Sequence, residues 1–245
     1  DTMNRTLTMT LLSTTALQAT EPVKLKFEHL SSIEGSKKWD WWQARSAYVP
    51  GIQPTWLTTM SETGKTGSHD FHDIYETISQ DRGKSWSKPV IIPSLKRTKQ
   101  PDGYEVAPGD LWPTWHAKSQ KILATGKTFN FADGKKENRL REKVSYSLMD
   151  HKTREWEPMR FLQMPKKDHA GYAITAANAG CTQRVDLPNG EILLPIRYWR
   201  NPKKHNYTST VARCRFDGQK LTYIEHGSEM TILRGRGLYE PSLAK

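Results

Sequence analysis

Three segments of this chain repeat one pattern at nearly constant spacing, and that repetition constrains the fold more than any other feature. The first runs Thr55-Trp56-Leu57-Thr58-Thr59-Met60, crosses a polar loop, returns as Asp73-Ile74-Tyr75-Glu76-Thr77-Ile78-Ser79 and closes at Asp81-Arg82-Gly83-Lys84-Ser85-Trp86. The second runs from Lys121 to Thr125, returns as Lys143-Val144-Ser145-Tyr146-Ser147 and closes with Asp150 and Trp156. The third runs from Glu191 to Ile196, returns as Ser209-Thr210-Val211-Ala212-Arg213 and closes at Asp217-Gly218. The closing aspartates, Asp81, Asp150 and Asp217, are 69 and 67 residues apart. A further strand is predicted before each unit, around Arg45–Val49, Leu111–His116 and Cys181–Leu187. Four strands per repeat describe a propeller blade. The competing all-β architecture, a sandwich, does not call for a regular period. A fourth unit opens at Leu238-Tyr239-Glu240-Pro241-Ser242-Leu243, so about three blades are expected here, leaving strand edges uncovered.

Composition agrees with many short strands joined by turns. Aromatic residues make up 10% of the chain, with 14 Pro and 16 Gly, types that favour strands and turns respectively. No apolar run of about 18 residues occurs, so no membrane insertion is expected. The formal charge of +11 comes from Lys and Arg spread among acids. That reads either as a solvated basic surface or as attraction for anionic partners. No zinc-finger spacing or RNA-recognition motif points to nucleic acid. Cys181 and Cys214 are too few for a disulfide framework; they either pair once or stay buried thiols, the second being favoured. Arg5 followed by a moderately apolar Leu7–Ala19 outlines a signal peptide; a disordered tail is the alternative for residues 1–20. The remaining 21–245 read as one partial β domain, expected to be secreted or periplasmic.

Ser79-Gln80-Asp81-Arg82-Gly83-Lys84-Ser85-Trp86 resembles the Asp-box of sialidases and other BNR-repeat proteins. Its logic is a tight turn in which Asp81 accepts amide hydrogens, Gly83 takes positive φ and Trp86 packs beneath. From about Lys26 onward the chain is similar to the bacterial sialidase-like exo-glycosidases. The resemblance implies a six-bladed β-propeller and removal of terminal sialic acid with retention. It also implies that Arg45, in Gln43-Ala44-Arg45-Ser46-Ala47, binds the substrate carboxylate. Asp70, 25 residues on in Gly67-Ser68-His69-Asp70-Phe71, would be the general acid/base. Glu240 would polarise a tyrosine nucleophile that follows later in the chain, as would two further arginines.

The chemistry suits these residue types. Arginine matches a carboxylate with a planar fork of donors. Departure of the aglycone needs an acid and then a base. Sialidases use a tyrosine nucleophile, and a phenol of pKa about 10 needs a neighbouring base. His69, His169, Asn178 and Gln183 are further candidate sugar contacts. Each has a plain structural alternative: a surface ion pair for Arg45, a loop cap for Asp70, an ordinary buried acid for Glu240. The run His69-Asp70-Phe71-His72-Asp73 suggests a metal cluster, but strand alternation sends neighbours to opposite faces, so neither metal nor cofactor is expected. Aligning the units through their second strands puts Trp112, Thr182 and Glu240 at one position, with Arg45 within a residue of it. The expected partner is a sialylated glycan or another acidic carbohydrate. The alternatives are a hydrolase or lyase of the same fold acting on another sugar, and a non-catalytic carbohydrate-binding propeller.

Overall fold

The structure, a computed structural model, describes residues 24–65, 70–132, 135–136, 139–201, 203–204 and 206–244. The expected signal peptide or tail at residues 1–20 lies outside the described residues. Among the described residues, sixteen strands form three antiparallel sheets in chain order. Sheet one is β1 (Trp39–Val49), β2 (Thr55–Gly64), β3 (Phe71–Ser79) and β4 (Val90–Ile91), paired consecutively. Sheet two holds β5 (Thr98–Lys99), β6 (Glu105–His116), β7 (Lys121–Ala132), β8 (Lys135–Lys136), β9 (Val144–Asp150) and β10 (Arg160–Phe161). Its main order is β5-β6-β7-β9-β10, with β8 on β7. Sheet three holds β11 (Thr175–Asn178), β12 (Val185–Asp186), β13 (Glu191–Trp199), β14 (Tyr207–Phe216), β15 (Leu221–His226) and β16 (Met230–Thr231). Its order is β11-β13-β14-β15, with β12 also on β13 and β16 on β14.

Period-two alternation builds the packing. Ile122, Leu123 and Ala124 on β7 have no exposed surface. Ile122 and Ala124 join Leu57, Ile74, Leu95 and Leu111 in a cluster shared with sheet one. Leu123, between them, joins Leu148, Ile192, Leu194 and Ala212 in a cluster shared with sheet three. One strand therefore feeds two cores from its two faces, as neighbouring residues on a strand point oppositely. Burying a Leu or Ile side chain is worth roughly 1.5–3 kcal/mol, so these clusters hold the sheets face to face.

The closing aspartates occupy equivalent turns, each between the third and fourth principal strands of its sheet. Asp81 accepts from the Ser85 amide at 2.9 Å, the Ser85 hydroxyl at 2.6 Å and the Ser79 hydroxyl at 2.8 Å. Asp150 accepts the Lys152 amide at 2.8 Å, and Asp217 the amides of Gln219 at 2.8 Å and Lys220 at 2.7 Å. Gly83 adopts φ +86°, and a β-carbon there would stand 3.9 Å from Trp86 Cζ2. The second unit's tryptophan does more than close a turn. Trp156 is buried in the cluster shared with sheet one, and its indole donates to Glu76 Oε2 at 2.9 Å. Arg154 donates to the other Glu76 oxygen at 3.1 Å. A buried carboxylate of sheet one is thus satisfied by the closing loop of sheet two.

Two expected strands differ. The one over Cys181–Leu187 pairs only at Val185–Asp186, and the principal first strand is β11, upstream. Between them the chain leaves the ladder to seat the Arg184 guanidinium, which donates to the carbonyls of Leu123 and Thr114 and to Asp186. Leu238–Leu243 forms no strand. Glu240 there has φ +60°, and Pro241 has no amide hydrogen to donate to a ladder. Isolated bonds rather than a ladder hold it, among them Leu238 N to Tyr207 O at 3.0 Å, Ser209 Oγ to Leu238 O at 2.8 Å and Leu243 N to Gln183 O at 3.1 Å.

Glu76→Ala should destabilise the protein by about 1–3 kcal/mol, because it strands the buried Trp156 N–H and removes a charged acceptor; the midpoint of denaturant unfolding measures this. The hydrogen bonds from Ser85 hold the Asp81 carboxyl at about 2. Its contribution to stability is therefore complete above the ordinary aspartate pKa near 4 and lost as pH falls through about 2. A carboxyl-carbon NMR titration of Asp81 with its midpoint near 4 would contradict that.

Candidate functional site

The first strands of the three sheets carry the same irregularity. On β1, three steps from Trp42 to Arg45 oppose two steps from Ser61 to Thr59. On β6, Gly109 to Trp112 opposes Lys127 to Thr125, and on β11, Thr175 to Asn178 opposes Trp199 to Arg197. The extra residue opens on a left-handed conformation each time, at Gln43 (φ 56°), Asp110 (φ 51°) and Ala176 (φ 51°). Such bulges re-aim side chains, and the conformation is ordinarily left to glycine. Glu240 repeats the conformation in the fourth segment, so the four positions are 67, 66 and 64 residues apart. Held away from glycine, each stores strain of roughly 1–3 kcal/mol. Gly126 makes one bulge possible: a β-carbon there would come within 2.6 Å of the Gly109 carbonyl and 3.0 Å of the Asp110 carbonyl.

This register corrects the sequence alignment. Arg45 corresponds to Trp112 and Asn178, whereas Glu240 shares the left-handed conformation of Gln43, Asp110 and Ala176; Thr182 belongs to neither set. The expected equivalence of Trp112, Thr182 and Glu240 came from counting residues, which cannot see a bulge.

The bulges knit adjacent sheets together with polar groups. The Gln43 side-chain oxygen accepts the Asp110 amide at 3.0 Å. The Asp110 carboxylate accepts from Cys181 Sγ at 3.1 Å and lies 3.4 Å from Lys127 Nζ, with both charged side chains buried. Arg45 stacks on Trp112, its guanidinium carbon 5.1 Å from the ring centre. Arg197 is 4% exposed, has its guanidinium carbon 5.2 Å from the Tyr207 ring centre and 5.8 Å from that of Tyr239, and has Nη1 3.7 Å from Glu240 Oε1. Its Nε and Nη1 make no hydrogen bond among the described residues. Glu240 itself is half exposed. Three cations (Arg45, Lys127, Arg197) and two carboxylates (Asp110, Glu240) therefore belong to one neighbourhood with a net positive charge.

The other candidates are placed as follows. Asp70 precedes β3, with Oδ1 3.1 Å from His72 Nε2, and lines a cleft with Asp73, Arg97, Lys99 and Glu105. Phe71 pairs with Thr63 and Thr63 with Asp40, so Asp70 sits at the end of sheet one where β1 begins; Arg45, opposite Thr59, lies farther along. A chain of rings links the two regions: Phe71 stacks on Phe129 at 4.1 Å, and Lys127 lies 4.3 Å from the Phe129 ring centre. Asn178 is fully buried, donating to Glu142 at 2.8 Å and accepting the Gly180 amide at 3.3 Å. Gln183 is exposed and holds the fourth segment by its amide, which donates to Ser242 Oγ at 3.2 Å. His169 stacks on His226 and pairs with Glu229. His69 lies outside the described residues. Sequence reasoning missed Asp110, Lys127 and Arg197. A lone cation inside each apolar run, Leu123-Ala124-Thr125-Gly126-Lys127 and Leu194-Pro195-Ile196-Arg197, was the available signal.

Both cysteines are free thiols. Burial first, then the charge of Asp110, pushes the Cys181 thiol up to about 12, and burial does the same to Cys214.

No protein-family model and no curated protein matches this chain. Solved structures do. Trypanosoma rangeli sialidase in complex with sialic acid superposes with a TM-score of 0.58 at 13% identity, over 82% of this chain and 32% of that one. A family 117 glycoside hydrolase of the marine bacterium Zobellia galactanivorans gives 0.52 at 15% identity, over 81% of this chain and 60% of that one. A Dyadobacter fermentans protein of unknown function gives 0.55 at 12% identity, over 82% and 57%. The fold is thus all-β and glycoside-hydrolase-like, with sialidases among its neighbours. The chain spans about a third of the length of the sialidase chains it matches.

Neither thiol should react with a soluble disulfide reagent at pH 8, where a thiol of pKa about 12 is almost wholly protonated; both should react after unfolding. Rapid labelling of Cys181 in the native protein would contradict the buried contact with Asp110.

Proposed function

We propose that this chain forms the opening blades of a six-bladed sialidase-type propeller, secreted, which removes terminal sialic acid from glycoconjugates with retention. The observation that carries the reading is the repeated inner-strand bulge, whose side chains gather cations and carboxylates where adjacent sheets meet. The likeness to the trypanosomal sialidase supports the fold, and the Asp-box turns support the blade repeat. Arg45 takes the sugar carboxylate by its fork of donors. Asp70 protonates the leaving oxygen and then activates water. Glu240 serves as base to a tyrosine nucleophile, a residue type that avoids setting a carboxylate against the substrate's own negative charge. His69 and Gln183 are proposed as sugar contacts. Lys127 and Arg197 add positive potential suited to an anionic substrate.

A second reading has its own support. The family 117 glycoside hydrolase is covered over 60% of its length at comparable similarity, which favours a same-fold hydrolase for another sugar. Turnover of a fluorogenic sialoside by the complete protein, beside neutral glycosides, separates the two. In that protein Asp70→Asn should lower turnover of poor leaving groups by about 10²–10⁴-fold and that of activated aryl glycosides much less. Equal losses for both would remove Asp70 from the acid role.

A further inference from the structure

A second polar cluster lies on sheet three, away from the bulges. His226 ends β15 and is buried, and Glu229 follows three residues later. His169 stands in the loop after β10, with its side chain 59% exposed. Both imidazoles face one carboxylate oxygen: Glu229 Oε1 is 3.0 Å from His226 Nε2 and 3.3 Å from His169 Nδ1. All three ligand atoms lie within 4.8 Å of one another. The same oxygen accepts the His169 amide at 2.8 Å. The two rings stack, 4.1 Å between centres.

We propose that His169 Nδ1, His226 Nε2 and Glu229 Oε1 form a binding site for a borderline divalent transition metal ion of the Zn²⁺ class. A tetrahedral site with bonds of about 2.0–2.1 Å has ligand–ligand edges of about 3.3 Å. The two nitrogen–oxygen edges already stand at 3.0 and 3.3 Å. The two rings are nearly parallel, at 14°, and an imidazole binds a metal in its own plane, so the His169 ring must turn out of the stack to complete the site; its exposed side chain gives it room to do so. Two imidazoles and one carboxylate suit zinc rather than the oxygen-seeking magnesium or calcium. The exposed side leaves a fourth position for water.

The surroundings support the ligands. Tyr223 Oη lies 2.5 Å from His226 Nδ1; once an ion takes the place of the hydrogen between Nε2 and Glu229 Oε1, the phenol oxygen is placed to accept the Nδ1 hydrogen and hold the ring. Arg200 stands 3.8 Å from the other Glu229 oxygen, leaving Oε1 to the ion. Arg200 is already engaged by Asp168, whose side chain is fully buried and also accepts from Tyr198 at 2.8 Å. Two carboxylates, Asp168 and Glu229, thus share one guanidinium, and a cation at the histidines supplies the missing positive charge. Such an ion would pin the loop carrying His169 to the outer strand of sheet three.

The test is Zn²⁺ titration of the full chain by calorimetry, with Co²⁺ absorption reporting tetrahedral nitrogen ligation and thermal melting reporting linkage. One Zn²⁺ should bind and raise Tm. His169→Ala, at an exposed position that leaves the fold intact, should weaken binding by at least about tenfold and abolish the tetrahedral Co²⁺ spectrum. Tyr223→Phe should weaken it by about 10–100-fold with all three ligands present. No uptake, or equal affinity in the parent and His169→Ala, overturns the proposal.

Discussion

Sheet two has no free face, and the rest of the molecule depends on that. Ile122 and Ala124 serve one core while Leu123 serves the other, with none of the three exposed. A strand packed on both sides carries a near-continuous apolar run, and every polar group in it must find a partner inside the protein. Within sheet two that requirement sets Lys127 against Asp110; the groups packed on its two faces follow the same rule, with Glu76 of sheet one satisfied by Trp156 and Arg154 and Arg184 bonded to the Leu123 and Thr114 carbonyls.

The pairing of Lys127 with Asp110 sits where the sheets' first strands meet. Burying either charge alone is costly, and breaking such a pair costs about 3–5 kcal/mol because one ion is left uncompensated. Placing it there requires Asp110 to adopt a left-handed conformation and position 126 to lack a β-carbon. The repeated bulge is thus a device for aiming unlike side chains into a common region from identical scaffolds. The bulge repeats on three strands while its occupants (Gln43, Asp110, Ala176) do not, and Glu240 takes the same backbone conformation outside any strand.

Much of the architecture was legible in particular residues. The spacing of Asp81, Asp150 and Asp217 located the turn between third and fourth strands in every sheet, because an aspartate that caps its own turn does so through amides two to four residues away. The degenerate copy at Trp156 was recognisable as a turn, but not as the donor to Glu76, 80 residues earlier. The expected continuous strand over Cys181–Leu187 failed because the anchorage of Arg184 depends on carbonyls of sheet two, 61 and 70 residues away. Arg45 and Asp70 were singled out only through the family resemblance. The company they keep, Trp112 for one and the Arg97 cleft for the other, could not be read from the sequence.

The sequence by itself determined the repeat, the all-β class and the turns, because each rests on interactions within a few residues: alternation, a capping carboxylate, a glycine at positive φ. Only the tertiary structure decided where the bulges fall and which charges they bring together. A bulge is a mismatch between two strands, and no property of one strand records it. The convergence of His169 on His226 and Glu229, about sixty residues apart in the chain, is of the same kind. Local physics chose the elements; burial against distant partners chose their register, and register placed the charges.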